Sequence, residues 1–151
     1  MREIWPTSYE KLISCAGRAT TYPRYVSEEN HRKHIAVNGD RNHVYHIHVD
    51  GNVIPKSCNA TKRIDFLLLN ETKKVAYLIE LKGSHLGDAI EQLEVSHEAL
   101  KDLLTDYDIR WRIVYRSCTS RIYTNELKKK LKMYKQKYQL DPKSSPMEEN
   151  I

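Results

Sequence analysis

The chain has 151 residues, 40% of them hydrophobic and 30% charged, which predicts one folded domain with its own core and excludes a wholly disordered chain or a miniprotein held by disulfides. The formal net charge of +5 favours acidic partners such as nucleic acid. The three cysteines (Cys15, Cys58 and Cys118) are far apart and predict reduced thiols, and no segment has the length of a signal peptide or membrane span, so a soluble cytoplasmic protein is expected.

The N-terminal part of the sequence predicts two helices. Thr7 and Glu10 have the spacing of a capping box at the start of "TSYEKLISCAG". Ser27, followed by Glu28 and Glu29, predicts the cap of a second helix through "EENHRKHIAV".

The spacing of apolar residues then changes from the helical period to strict alternation. In "HVYHIHVDG" the apolar residues Tyr45, Ile47 and Val49 alternate with polar ones, which predicts a strand. "IDFLLLN" and "KKVAYLIELKG" predict two more strands, and the short link "NETKK" between them predicts an antiparallel hairpin.

The remaining sequence predicts a helix, a strand and a basic helix. After Gly83 an apolar seam with helical spacing is formed by Leu86, Ile90, Leu93, His97, Leu100 and Leu104. "IRWRIVYR" predicts the fourth strand and "TNELKKKLKMYKQKYQL" the last helix. Residues 1–140 are therefore expected to form a single mixed α/β domain, and the Pro- and Ser-rich residues 141–151 a disordered tail.

Three charged residues stand in segments otherwise suited to burial. Alternation places Glu80 and Lys82 on the same strand face, where desolvation is costly unless they pair or hold a ligand. A hairpin register that brings Asp65 beside Glu80 would crowd two carboxylates, and a divalent cation such as Mg²⁺ would stabilise them. Lys82 would then orient or deprotonate the attacking water, or stabilise charge on a phosphate. The alternative is an ion pair of Glu80 and Lys82 on an exposed sheet face.

Asp65, followed after fourteen residues by Glu80-Leu81-Lys82 at the end of an apolar strand, resembles the PD-(D/E)XK nuclease superfamily. The resemblance covers about Tyr45 to Tyr115 and departs from the motif at Ile64, where the proline would stand. It implies a restriction-endonuclease-like core of order αβββαβ, with a central mixed four-stranded sheet flanked by helices.

The same resemblance implies a function and a set of site residues. The implied activity is Mg²⁺- or Mn²⁺-dependent hydrolysis of phosphodiester bonds in nucleic acid, with DNA favoured and RNA as the alternative substrate. Asp65, Glu80 and the Leu81 carbonyl would be metal ligands, and Lys82 the catalytic lysine. Gln92 corresponds to a glutamine that some members carry on the following helix, although Ser96 stands where one branch has a tyrosine. Members of the superfamily often add an acid from the first helix, and Glu10, Glu28 and Glu29 are the candidates.

Further residues have the chemistry of phosphate contacts. The proposed nucleic-acid contacts are Lys128, Lys129, Lys132 and Lys135 on the last helix, with Arg110 and Arg112 on the fourth strand. His46 or His48 could contact substrate from a partly exposed strand face, whereas His97, in the apolar seam, is expected to be packed in the core. A non-catalytic nucleic-acid-binding or scaffolding module on the same core is the alternative function, and a homodimer or larger complex is a possible assembly.

Overall fold

Two mixed β-sheets and three α-helices make up the described part of the chain, which covers residues 4–58, 60–82, 85–116 and 124–151 of a computed structural model. The elements in chain order are α1 (Tyr9–Ser14), β1 (Arg24–Glu29), β2 (Arg32–Val37), β3 (Val44–His48), β4 (Phe66–Asn70), β5 (Val75–Lys82), α2 (Leu86–Leu100), β6 (Asp108–Tyr115), α3 (Asn125–Tyr138), β7 (Lys143–Ser144) and β8 (Met147–Asn150). The mixed α/β class predicted from sequence is confirmed at this level.

The larger sheet has the order β3-β4-β5-β6-β7. β3, β4 and β5 pair antiparallel, as the short link "NETKK" predicted. β6 pairs parallel with β5, because α2 carries the chain back to the opposite end of the sheet. The four strands predicted from sequence are β3 to β6, and the two-residue β7 extends this sheet beyond β6.

All three helices pack on one face of the larger sheet. The apolar seam predicted for α2 is confirmed, since Ile90, Leu93 and Leu100 are buried against Leu67 and Leu78 of the sheet. α3 places Leu127, Leu131, Tyr134 and Tyr138 against the same core. α1 is capped by Ser8, whose Oγ accepts a hydrogen bond from the Lys11 backbone N–H, one residue later than the predicted Thr7 cap.

A second sheet of order β1-β2-β8 covers the other face. Its first two strands occupy the segment where the sequence predicted a second helix, so that prediction is wrong. Asn30 and His31 both have positive φ, which closes a tight β-hairpin turn and brings Glu29 opposite Arg32. The Ser-Glu-Glu sequence has the composition of a helix start, but alternating burial of Tyr25 and Ser27 favours a strand.

The C-terminal residues complete this second sheet, so the expected disorder of residues 141–151 is not observed. β8 pairs parallel with β2, with His34 opposite Met147 and Val37 opposite Asn150. Ile151 is buried in the apolar layer between the two sheets. The Pro- and Ser-rich composition suggested a frayed tail, but the alternating Met-Glu-Glu-Asn residues supply strand pairing that composition alone does not reveal.

Candidate metal centre and active-site cleft

The β4–β5 hairpin brings Asp65 and Glu80 together, as its predicted register required. Phe66 lies opposite Ile79 in the antiparallel pair. Asp65, just before Phe66, is therefore next to Glu80, just after Ile79. The Leu81 backbone N–H donates to Asp65 Oδ2 over 2.8 Å, and the Asp65 N–H donates to the Ile79 carbonyl over 3.2 Å. Asp65 and Glu80 are only 9% and 3% exposed. A side-chain hydrogen bond also links the two acids and lowers the pKa of Asp65.

Burial is the main reason that the pKa of Asp65 is raised to about 6. The nearby carboxylates of Glu29 and Asp50 raise it further, whereas the hydrogen bonds from Leu81 and Glu80 lower it. The site therefore holds a carboxyl group that favours its proton at mildly acidic pH.

Two further acids converge on Asp65. Carboxylate oxygens of Glu29, Asp50 and Asp65 lie within 4.8 Å of one another. Of the three N-terminal candidates, Glu29 is the one in the cleft: Glu10 is exposed on α1, and Glu28 is exposed beside Lys33. Glu29 comes from the end of β1, next to the hairpin turn, rather than from a helix.

Asp50 belongs to this cluster, although no sequence motif predicted it as a site residue. It lies in a turn, Val49–Val53, directly after β3. The backbone N–H groups of Val49 and Asp50 both donate to the Asp65 carbonyl, over 2.9 and 3.3 Å, which fixes this turn beside β4. Two features of the sequence could have predicted this position. The end of β3 must lie beside the start of β4 in an antiparallel pair, and an Asp-Gly turn directly follows β3.

These acids line a cleft of about 540 Å³. Its other lining residues are Asn30, Arg32, Ala60, Thr61, Lys62, Arg63, Leu81 and Gln92. Leu81, whose carbonyl the family resemblance implies as a metal ligand, is therefore in the cleft with the acids. Lys82 is the last residue of β5, and its side chain lies outside the described part of the chain.

Arg63 neutralises Asp50 and holds the loop that walls the cleft. Its guanidinium donates to Asp50 Oδ1 over 2.8 and 3.1 Å and to the Cys58 and Thr61 carbonyls over 2.5 and 2.9 Å. Lys56 Nζ lies 3.8 Å from Glu29 Oε1 and 3.7 Å from Asp50 Oδ2. Two of the acids thus already have cations of the protein beside them.

Gln92 reaches the cleft from α2, as predicted, and contacts the backbone that leads into Asp65. Its Oε1 accepts a hydrogen bond from the Arg63 N–H over 2.6 Å. One turn later, Ser96 Oγ accepts from the Ile64 N–H over 2.9 Å. Both contacts position the residues before Asp65, so the geometry gives Gln92 a positioning role. Ile64 is fully buried, so the position of the missing proline is filled by an apolar core residue.

The predicted substrate-facing histidines have other surroundings. His46 is half-buried between Tyr25 and Phe66, and its Nε2 lies 2.8 Å from Ser27 Oγ. Desolvation lowers the pKa of His46 to about 4, and a substrate contact of this residue stays a prediction. His48 stacks on Phe66, with Nε2 3.7 Å from Glu29 Oε2, at the cleft margin. His97 packs edge-on against Trp111 and Tyr138, but it is half-buried at the surface rather than within the core.

The proposed nucleic-acid contacts differ in exposure. Lys128, Lys129, Lys132 and Lys135 are all exposed on α3. Arg110 pairs with Asp108 on its own strand. Arg112 is buried and forms a bidentate pair with Glu149, over 2.8 and 2.9 Å, so it has a structural role rather than the predicted phosphate contact.

No helix in the described ranges is long and apolar enough to cross a membrane. Cys15 and Cys58 are free thiols, and Cys118 falls outside the described residues. No protein-family model, curated protein or solved structure matches this chain.

Proposed function

We propose that the protein is a metal-dependent nuclease that hydrolyses phosphodiester bonds in nucleic acid, with DNA as the first substrate to test. The observation that carries the proposal is the convergence of Glu29, Asp50, Asp65 and Glu80, from four separate segments, on one cleft. Buried carboxylates that crowd together destabilise a fold unless a cation compensates them, so such a cluster is typical of a functional site.

The donor atoms of the cluster fit a hard divalent cation. Three carboxylate oxygens lie within 4.8 Å of one another, and Glu80 and the Leu81 carbonyl are further oxygen donors in the same cleft. Mg²⁺ and Mn²⁺ prefer oxygen ligands of this type, whereas Zn²⁺ sites are usually built from cysteine and histidine. When bound, such an ion supplies Lewis-acid activation of the phosphate and of the attacking water.

The protein's own residues would then do three things. Asp65, whose pKa is raised to about 6, would lose its proton and bind as a carboxylate beside Glu80, which makes binding stronger as the pH rises. Gln92 would hold the backbone before Asp65 in place through Arg63. Lys82, two residues after Glu80 on the same strand, would deprotonate or orient the water, or stabilise charge on the phosphate.

The order of elements supports a restriction-endonuclease-like core within this fold. A helix (α1), three antiparallel strands (β3 to β5), a crossover helix (α2) and a parallel strand (β6) follow one another. The β1–β2 hairpin stands between α1 and β3 and contributes Glu29.

The test is cleavage of plasmid, linear duplex, single-stranded DNA and RNA, each with Mg²⁺, Mn²⁺ or EDTA. Wild type is compared with Asp65→Asn, Glu80→Gln and Lys82→Ala, and Glu98→Gln, on the exposed side of α2, is the matched control. We expect metal-dependent cleavage that falls by at least about 100-fold in the three site variants, because loss of even an outer-shell partner can weaken a metal site by 10- to 100-fold. The control should cleave like wild type.

Two outcomes would contradict the proposal. Cleavage that persists in EDTA or in Glu80→Gln would place the chemistry elsewhere. Binding of DNA through the exposed α3 lysines, with no cleavage under any condition, would favour the non-catalytic binding module.

A further inference from the structure

Arg32 is a cation of the cleft that the sequence analysis did not identify. It is the first residue of β2 and lies opposite Glu29 across the hairpin. Its Nη1 lies 3.5 Å from the Leu81 carbonyl oxygen, and it lines the same cleft as Asp65 and Glu80.

Arg32 differs from the other described cations around the acids. Arg63 is bound to Asp50, Lys56 lies between Glu29 and Asp50, and Lys62 pairs with Glu91 on α2. Within the described ranges, Arg32 forms no salt bridge. Its Nε is also buried and has no hydrogen-bond partner there.

A buried guanidinium N–H without an acceptor is costly, since the donor has lost water and gained nothing in return. The planar guanidinium fork fits two oxygens of a phosphate, and its charge is permanent. The Nε–H group of Arg32 is therefore a donor for which an oxygen of a phosphate group would be a suitable acceptor.

We infer that Arg32 binds a non-bridging oxygen of the phosphate group that enters this cleft. The inference rests on the proposed function, because it assigns Arg32 to the substrate of the same site. A phosphodiester approaching four carboxylates is repelled by their charge, and Arg32 supplies an opposing charge at the wall of the cleft. Negative charge that grows on the phosphate during hydrolysis would strengthen this contact.

The test measures phosphate binding directly, apart from cleavage. ¹⁵N-labelled protein in Mg²⁺ is titrated with inorganic phosphate, and the Arg32 Nε–H signal is followed by NMR after assignment with Arg32→Gln. Arg24→Ala is the matched control, since it removes the same charge from β1, where Arg24 is exposed and paired with Glu148. We expect the Arg32 signal to shift with phosphate, and Arg32→Gln to bind phosphate about 10- to 100-fold more weakly. Arg32→Lys should recover part of the loss.

Each outcome decides between the two proposals. If wild type does not bind phosphate, or if Arg32→Gln binds it as tightly, the inference is wrong. If the wild type cleaves DNA and Arg32→Gln has unchanged kcat and KM, the inference is also wrong, whereas the nuclease proposal stands. Phosphate binding through Arg32 without any cleavage would leave the anion site in place and remove the nuclease proposal. Mn²⁺ affinity, measured in parallel, should not fall in Arg32→Gln, because Arg32 is not among the cluster of acids that could hold the ion.

Discussion

Two clusters of charged side chains in this protein, one around Glu149 and one around Asp65, are compensated in opposite ways. Glu149, on β8, accepts two hydrogen bonds from Arg112 and one from His34 Nε2 over 2.6 Å. Although burial raises its pKa, these contacts outweigh that effect and hold the pKa at about 2. Asp65 is also removed from solvent, but the described carboxylates of Glu29 and Asp50 act on it, and its pKa is raised to about 6.

The difference separates structure from function. The Glu149 cluster joins β2, β6 and β8, so its charges are matched by partners within the fold. In the cleft, Glu29 and Asp50 have Lys56 and Arg63 beside them, but Asp65 forms no salt bridge within the described residues and its pKa is raised. A buried acid with a raised pKa in a cleft is typical of a residue that binds a ligand.

The largest effect is expected from removing the charge of Glu149. Glu149→Gln leaves Arg112 buried without a counterion, and we expect a loss of about 3–5 kcal/mol in the free energy of unfolding. Asp65→Asn should instead leave the metal-free protein as stable as wild type or more so, because it removes a carboxylate whose ionised form is disfavoured by burial and by Glu29 and Asp50. Urea unfolding in EDTA measures both. Equal destabilisation by the two substitutions would erase the contrast between the clusters.

The second effect is a pH dependence of opposite sign at the two acids. The folded pKa of Asp65 is higher than its unfolded value near 3.8, so the folded state binds more protons and stability falls as the pH rises from about 4 to 6. The whole shift corresponds to about 3 kcal/mol at most. Glu149 has a lowered pKa, so its contribution is lost as the pH falls from about 4.5 to 2.

His46 affects the same range in the opposite direction to Asp65. Its folded pKa is about 4 and its ordinary value is 6.5, so the unfolded state binds more protons and stability rises from about pH 4 to 6.5. The measurement is therefore the difference between wild type and Asp65→Asn, by urea unfolding in EDTA from pH 4 to 7. Wild type should lose stability relative to the variant as the pH rises. Parallel curves would contradict the raised pKa of Asp65.

The third effect is stabilisation by metal. A cation that binds only the folded protein should raise the free energy of unfolding by about 2.7 kcal/mol at a concentration of 100 Kd. We expect a rise in Tm with Mn²⁺ at pH 7.5 in the wild type and in Glu98→Gln, and none in Asp65→Asn or Glu80→Gln. The rise should weaken at pH 5, where Asp65 retains its proton. A rise of equal size in all four proteins would indicate binding outside the cleft.

Much of the larger sheet could be predicted because the alternation of apolar and polar residues in its strands is clear and the β4–β5 connection is short. The β4–β5 hairpin, the α2 seam and the neighbouring positions of Asp65 and Glu80 follow from alternation, link length and helical spacing. The β1–β2 hairpin was predicted as a helix because Ser27 and the glutamates after it have helix-start chemistry. The strand is stabilised by packing on the far face of the larger sheet, which no local signal reports.

The site was predictable to the extent that its residues lie on one hairpin. Asp65 and Glu80 are fixed by the register of two adjacent strands, whereas Glu29, Asp50 and Arg32 come from segments that only tertiary packing brings to them. The disordered-tail prediction failed for a similar reason. Glu149 is stabilised in β8 by Arg112, and that pairing spans 37 residues of sequence.

The smallest effect we expect concerns Lys56, whose ammonium lies between Glu29 and Asp50. It partly compensates the acids that would hold a metal ion, so its removal should tighten binding of the ion. Its side chain is 63% exposed, and exposed ion pairs contribute only about 0.2–1 kcal/mol, which limits the gain in Mn²⁺ affinity to about fivefold. Calorimetric titration of Lys56→Met with Mn²⁺, against Lys33→Met as a control on β2, measures it. Weaker Mn²⁺ binding in Lys56→Met would mean that Lys56 arranges the acids for the ion rather than competing with it. Unchanged binding in Lys56→Met would place the ion nearer to Asp65 and Glu80, away from the oxygens that Lys56 contacts.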